Sequence, residues 1–234
     1  MTHRSPPTAT AFVVGLLLLA FVSAGVMPAA AATPPVEPEL ADKLEQRVVR
    51  WRVNHKAPAV AVAVRLPDGS RWVHASGRAI RGSSGRDARV FTPFAVASLT
   101  KTFMAALVLQ LRDEGRLWLG MPLSRWLPNY PKADKVTVKM LLNHRSGIRD
   151  YFAHPKYERK VFGRPRHKWT TNEILALVGP RVCAPGKCYH YSNTNYVLLH
   201  KIVRQVTGRS AAQEIRRRFL KPLGLTDTYW QGKE

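Results

Sequence analysis

The stretch from Leu99 to Leu111 limits the fold of this chain more than any other. Leu99, Phe103, Met104, Leu107, Val108 and Leu111 leave almost no polar face until Arg112-Asp113-Glu114-Gly115 closes the segment. A helix apolar on nearly every side belongs inside a protein, so this spacing predicts a helix running through a core. At its head stands Ser98-Leu99-Thr100-Lys101. With the helix starting at or just before Ser98, residues i and i+3 share one face, which sets the Lys101 amine beside the Ser98 hydroxyl. A free serine hydroxyl is a weak nucleophile, and a neighbouring lysine takes its proton only where burial favours the neutral amine. Ser-x-x-Lys alone also fits a capped helix start with a solvated lysine, so the rest of the chain has to decide between the two.

The first residues read as a targeting segment. Arg4 supplies a short basic start, 12–26 is mostly apolar, and Pro28-Ala29-Ala30-Ala31-Ala32 offers Ala-x-Ala cleavage sites before Thr33. This pattern predicts a secretory signal peptide over 1–32. An uncleaved anchor is the alternative, although the apolar stretch is shorter than the roughly 20 residues a span requires. No stable membrane span is expected after cleavage. The expected location is therefore extracytoplasmic, in association with the cell wall. Of 37 basic residues the leader holds one, leaving 36 against 15 acidic, or +21. Such an excess favours anionic partners such as cell-wall polymers. A dispersed, solvated basic surface is the other reading, since local runs occur only at Lys156–Lys168 and Arg216-Arg217-Arg218. No aromatic interleaving points to base stacking, and nucleic acid is not an expected partner. Cys183 and Cys188 flank Ala-Pro-Gly-Lys, and in an exported chain such a pair predicts a disulfide. With His190 as the only further candidate ligand, the pair makes no metal site, and no cofactor is implied.

In chain order, 33–38 reads as a proline-rich linker. Leu40, Leu44, Val48 and Trp51 recur at helical spacing and predict an amphipathic helix to about Asn54. Ala59 to Leu66 and Arg71 to Ser76 form a hairpin around Pro67-Asp68-Gly69-Ser70. Residues 77–89 read as a loop, and the stretch from Leu117 to Tyr130 as a surface wrap with one helical turn. Val136 to Asn143 reads as a short helix, and Tyr151 to Lys168 as a long loop. A capping box, Thr170 with Glu173, opens a helix through Val178. Tyr196 to Val206 is helical and is stopped by Gly208. Ser210 with Gln213 caps a last helix to Leu220.

Tyr191-Ser192-Asn193 adds to the Ser-Lys pair. A tyrosine hydroxyl there can pass a proton between nucleophile and leaving group, and an asparagine amide can donate to a substrate carbonyl and hold the lysine. The same three residues also fit a turn that caps the following helix. Around them lie Glu114-Gly115-Arg116-Leu117, Leu127-Pro128, Leu141-Leu142-Asn143-His144-Arg145-Ser146-Gly147 and Pro222-Leu223-Gly224-Leu225-Thr226. In order and spacing these landmarks resemble the serine β-lactamase and penicillin-binding protein superfamily. Within it the chain is most similar to secreted actinobacterial D-alanyl-D-alanine carboxypeptidases and their class C β-lactamase and esterase relatives. His144 to Tyr151 and Tyr191 to Asn195 are the closest local matches, and the resemblance covers about residues 40 to 230.

The resemblance implies an α+β fold of the β-lactamase/transpeptidase type, an antiparallel sheet flanked by helices with an all-helical region, as a single catalytic domain over 39–234. Ser98 would attack a carbonyl to form an acyl-enzyme, with Lys101 and Tyr191 jointly moving its proton and Asn193 binding the substrate amide. His144 would belong to a structural turn. The substrate would be a peptidoglycan peptide or a β-lactam-like small molecule. The family's third motif, Lys or His followed by Thr or Ser and Gly on a strand, has no counterpart. Val206-Thr207-Gly208 lacks the basic residue, and His74-Ala75-Ser76-Gly77 sits in the hairpin. The expectation is a chain lacking the C-terminal strands of the sheet, and with them one oxyanion donor worth about 10²–10³ in rate. Three readings stay open: a carboxypeptidase-type hydrolase, an esterase or β-lactamase of the same superfamily, and a non-catalytic protein that binds anionic wall polymers.

Overall fold

The apolar segment after Ser98 forms α2 (Thr100–Asp113), and Met104, Leu107, Val108 and Leu111 along it are buried as its spacing requires. The computed structural model describes residues 35–80, 85–163 and 167–231. The expected leader, 1–32, and Thr33 and Pro34 of the linker lie outside the described residues. The chain divides into two compact units after Val90.

The first unit holds α1 (Pro38–Asn54) and the hairpin of β1 (Ala59–Arg65) and β2 (Arg71–Gly77). Glu37 caps α1 by accepting from Leu40 N–H at 3.1 Å, and Pro38 takes the first helical position, where its missing N–H costs nothing. The strands pair antiparallel from Ala59 opposite Gly77 to Arg65 opposite Arg71. Arg52 reaches from α1 to Ser76 Oγ at 2.9 Å. The helical stripe does not enter a closed core: Leu44 and Val48 are half-buried, and Trp51 is 51% exposed. One helix on one hairpin has too little apolar surface to enclose a dry interior.

The second unit is helical. Besides α2 it contains α3 (Val138–Leu142), α4 (Pro155–Gly163), α5 (Thr171–Leu175), α6 (Asn193–Thr207) and α7 (Ala211–Ile215), which a π-helical turn continues over Arg216–Leu220. Buried side chains of α2, α3, α6 and α7 share one core with Leu117, Leu123 and Val136 from the wrap between α2 and α3. The capping boxes at Thr170 with Glu173 and Ser210 with Gln213 both form. Beside this core Glu214, with 1% of its side chain exposed, accepts from Arg218 Nε at 2.6 Å and from Arg217 Nη2 at 2.8 Å. Burial alone would raise its pKa, but the two guanidiniums outweigh burial and hold the carboxyl down at about 2.

Three expectations change. The helix begins as a 3-10 turn, Ala97–Leu99, so Ser98 lies just outside α2, and Leu99 is 65% exposed where its apolarity had placed it in the core. The stretch from Tyr151 to Lys168 is not all loop: Tyr151–Ala153 makes a 3-10 turn, and α4 starts at Pro155. Proline at a first helical position is favourable, and α4 holds three basic residues and one glutamate in place of the apolar period that marks a core helix. Finally α6 starts at Asn193 rather than Tyr196, which carries Asn193 into its first turn. Among the described residues no helix is long and apolar enough to cross a membrane.

Candidate active site

Ser98 and Lys101 meet because the 3-10 turn and the first turn of α2 continue one another, keeping the i, i+3 pair on one face. Lys101 Nζ donates to Ser98 Oγ at 3.1 Å and to Asn193 Oδ1 at 2.7 Å. Tyr191 Oη donates to the same Ser98 Oγ at 2.9 Å. Ala97, just before Ser98, holds φ at +44°, a left-handed conformation that a β-carbon disfavours by about 1–3 kcal/mol. The backbone is thus bent sharply at the point where the serine is presented, and Ser98 itself is exposed. Lys101 Nζ lies 5.2 Å from the centre of the Tyr191 ring and 5.4 Å from that of Tyr196.

The start of α6 supplies the other half. Asn193 Nδ2 donates to Asp150 Oδ2 at 2.8 Å while Oδ1 of the same amide faces Lys101. The reverse orientation would set a carbonyl against a carboxylate and an NH₂ against the lysine, so Asp150 and Lys101 together allow only one. The amide therefore holds the lysine, as expected, and its donor side is turned to Asp150. Asp150 Oδ1 accepts from Phe152 N–H at 3.1 Å, and Thr194 Oγ1 clips the neighbouring backbone, donating to Arg149 O at 2.8 Å and accepting from Tyr151 N–H at 3.1 Å. Asp150 and Thr194 were not among the expected site residues. The one cue was local: Asp150 closes the stretch after His144 and stands two residues before a backbone donor it can cap.

His144 is buried beneath this arrangement, 4.3 Å from the Tyr191 ring and nearly parallel to it. Its Nδ1 accepts from Ser192 N–H at 3.1 Å, and burial, reinforced by the Lys101 charge, lowers its pKa. It thus stays neutral and serves as a platform for Tyr191. Ser146 Oγ donates to Asn195 Oδ1 at 2.6 Å inside the same buried cluster. Cys183 and Cys188 are joined by a disulfide. The clamped loop lies against the His144–Gly147 turn through Val182 N–H to Gly147 O at 2.9 Å and Gly186 N–H to Arg145 O at 2.8 Å. Gly147, at φ +69°, tolerates no β-carbon, which would meet the Cys183 carbonyl oxygen.

The nearby Lys101 amine, then the hydrogen bond to Ser98, lowers the Tyr191 pKa below the usual tyrosine value. Its neighbour Tyr151 is pushed the other way, to about 12, by burial and by Tyr157 and Asp150. The arrangement can do one kind of chemistry well: a hydroxyl nucleophile held between an amine and a phenol, both within hydrogen-bond reach. Among the described residues no three His, Cys, Asp or Glu side chains converge as metal ligands.

A profile of the beta-lactamase family matches residues 40–234. This chain belongs to that family. Penicillin-binding protein 4 of Amycolatopsis lactamdurans is 33% identical over 187 residues, which make up 77% of this chain and 47% of that protein. A D-stereospecific amidohydrolase from Streptomyces sp. superposes with a TM-score of 0.66 at 35% identity, over 77% of this chain and 54% of its own. A class C beta-lactamase in complex with cefoxitin gives 0.66 at 25% identity, over 82% and 51%. The chain thus spans about half the length of these relatives. The α+β architecture is that of the β-lactamase-like fold, and the superfamily is one of serine hydrolases. Of the two segments compared with the family's third motif, His74 to Gly77 lies on β2 of the first unit and Val206 to Gly208 ends α6.

Proposed function

We propose that this chain is a serine acyl-transfer hydrolase of the D-alanyl-D-alanine carboxypeptidase type, acting on peptidoglycan peptides outside the cytoplasm. One observation carries the reading: Ser98 Oγ lies 3.1 Å from Lys101 Nζ and 2.9 Å from Tyr191 Oη. Ser98 Oγ attacks the substrate carbonyl carbon, and its proton passes to the Lys101–Tyr191 pair as the new C–O bond forms. The C–N bond then breaks, and Tyr191 returns that proton to the departing amine. Water attacks the ester by the reverse sequence and frees Ser98. The lowered pKa of Tyr191 supports its part, since a phenol nearer the working pH exchanges protons more readily. Similarity to a penicillin-binding protein and to a D-stereospecific amidohydrolase supports an amide beside a D-configured residue as the bond cleaved. The leader pattern and the disulfide support export.

Labelling the folded chain with a fluorescent penicillin tests the nucleophile. A covalent adduct is expected in wild type and none in Ser98→Ala; an adduct that persists in Ser98→Ala, or none in either, refutes the assignment. Likeness to a class C beta-lactamase favours a second reading, hydrolysis of a β-lactam or ester. Turnover of a D-Ala-D-Ala peptide, nitrocefin and a p-nitrophenyl ester side by side separates the two.

A further inference from the structure

Three exposed cations of the basic run Lys156–Lys168 belong to α4, and they are grouped on that helix rather than spread around it. Lys156, Arg159 and Lys160 stand at i, i+3 and i+4 on α4 and line one side of a cavity of about 680 Å³. His167, Trp169 and Glu173 line the other side. Like charges at this spacing repel along a helix face, so grouping them toward a concavity is unfavourable unless an anion offsets it. Glu173, the acidic residue in the lining, is already engaged. Its Oε2 accepts from the N–H and Oγ1–H of Thr170, both at 2.8 Å, and its Oε1 lies 3.0 Å from His167 Nε2. Those bonds, led by the Thr170 backbone, hold its carboxyl below the usual range. Among the described residues no acidic side chain pairs with Lys156, Arg159 or Lys160.

The opposite wall is partly apolar. Trp169 is half-buried and stands edge-on to His167, ring centres 4.8 Å apart. Leu177, buried, also borders the cavity. The volume falls within the range of about 300–1,000 Å³ typical of small-molecule sites. A simple anion would use the cations and leave the indole idle, and a neutral ring would do the opposite.

We propose that this cavity binds an anionic saccharide, its phosphate or carboxylate held by Lys156, Arg159 and Lys160 and a sugar ring packed against Trp169. The site shares no residue with the group around Ser98 and does not rest on the reading of that group. The shared chemistry is a negatively charged sugar, from either a phosphate-bearing or a uronic-acid polymer.

Isothermal titration calorimetry on the full chain at low salt tests it, with a glucose phosphate, galacturonic acid oligomers, glucose, inorganic phosphate and a single-stranded oligonucleotide as probes. At least one anionic sugar should bind, more weakly as salt is raised, and glucose should not. Whichever anionic sugar binds more tightly identifies the source. Arg159→Glu combined with Lys160→Glu should weaken that sugar at least about 10-fold, because charge-assisted bonds are lost and repulsion replaces them. Trp169→Ala should weaken the sugar but not inorganic phosphate, and Ser98→Ala should change nothing. Arg159→Gln serves as a milder variant if the double charge reversal alters the far-ultraviolet circular dichroism. The proposal is overturned if neither anionic sugar binds, if inorganic phosphate or the oligonucleotide binds as tightly as the sugar, or if the substitutions on α4 leave affinity unchanged.

Discussion

Asp150→Asn is the substitution that tests the site most sharply, because it changes one atom and should still disrupt the lysine. Asp150 serves two donors at once, Asn193 Nδ2 at 2.8 Å and Phe152 N–H at 3.1 Å. An asparagine there has only one acceptor, so in either orientation its NH₂ faces one of those donors. If the Asn193 amide turns over to relieve the contact, Lys101 Nζ loses the acceptor it now has at 2.7 Å. A hydrogen bond to a charged group contributes about 1.5–3 kcal/mol. If that whole amount is felt in the transition state, at about 1.4 kcal/mol per tenfold, acylation slows about 10- to 100-fold. The assay is the pseudo-first-order rate of labelling by a fluorescent penicillin, with thermal unfolding followed in parallel. Asp150→Ala should slow the rate to a similar degree, by releasing the amide rather than reversing it. Wild-type labelling rates in Asp150→Asn would refute the reasoning, as would a loss of rate that only tracks unfolding.

Glu214→Ala should destabilise the second unit by about 1.5–3 kcal/mol in urea unfolding, since it removes the charge-assisted bond to Arg218 Nε and leaves that nearly buried guanidinium with Glu114 as its remaining carboxylate partner. The same carboxyl sets a pH dependence. Its folded pKa of about 2 lies below the unfolded value of 4.5, so a contribution of about 3 kcal/mol is fully present above pH 4.5 and is lost as pH falls toward 2. Stability measured between those limits should fall in wild type and stay flatter in Glu214→Gln. Gly147→Ala should cost at least about 1–3 kcal/mol, from a strained φ and a β-carbon driven onto Cys183 O, and it should slow penicillin labelling through displacement of the loop that carries Tyr191. Unchanged stability in Gly147→Ala would show that the turn and the disulfide loop are not coupled.

What was legible in the sequence shares one property: it depends on residues within a few positions of each other. The Ser98–Lys101 pairing follows from the i, i+3 geometry of a helical turn, and it survives even though Ser98 sits in a 3-10 turn rather than in α2. The capping boxes at Thr170 and Ser210, the hairpin and the Gly208 stop are of the same local kind. The burial of Met104, Leu107, Val108 and Leu111 along α2 was legible too, because apolar side chains recurring at helical spacing need a core to face, although Leu109 beside them is exposed.

The tertiary structure decided the rest. Asn193 and Asp150 are 43 residues apart, and nothing local to either says that one amide must satisfy a carboxylate and a lysine together. His144 becomes a neutral platform only because α6 folds over it and Ser192 supplies the N–H that its Nδ1 accepts. Leu99 is exposed although its sequence pattern matches its buried neighbours, because the 3-10 turn rotates it off the helical stripe. The cations of α4 read as one more solvated run until the backbone set them on a single face above a cavity. Local chemistry named the candidate pair, Ser98 and Lys101. The surroundings that hold them depend on which distant side chains folding brings within about 3 Å, and chain spacing carries no record of that.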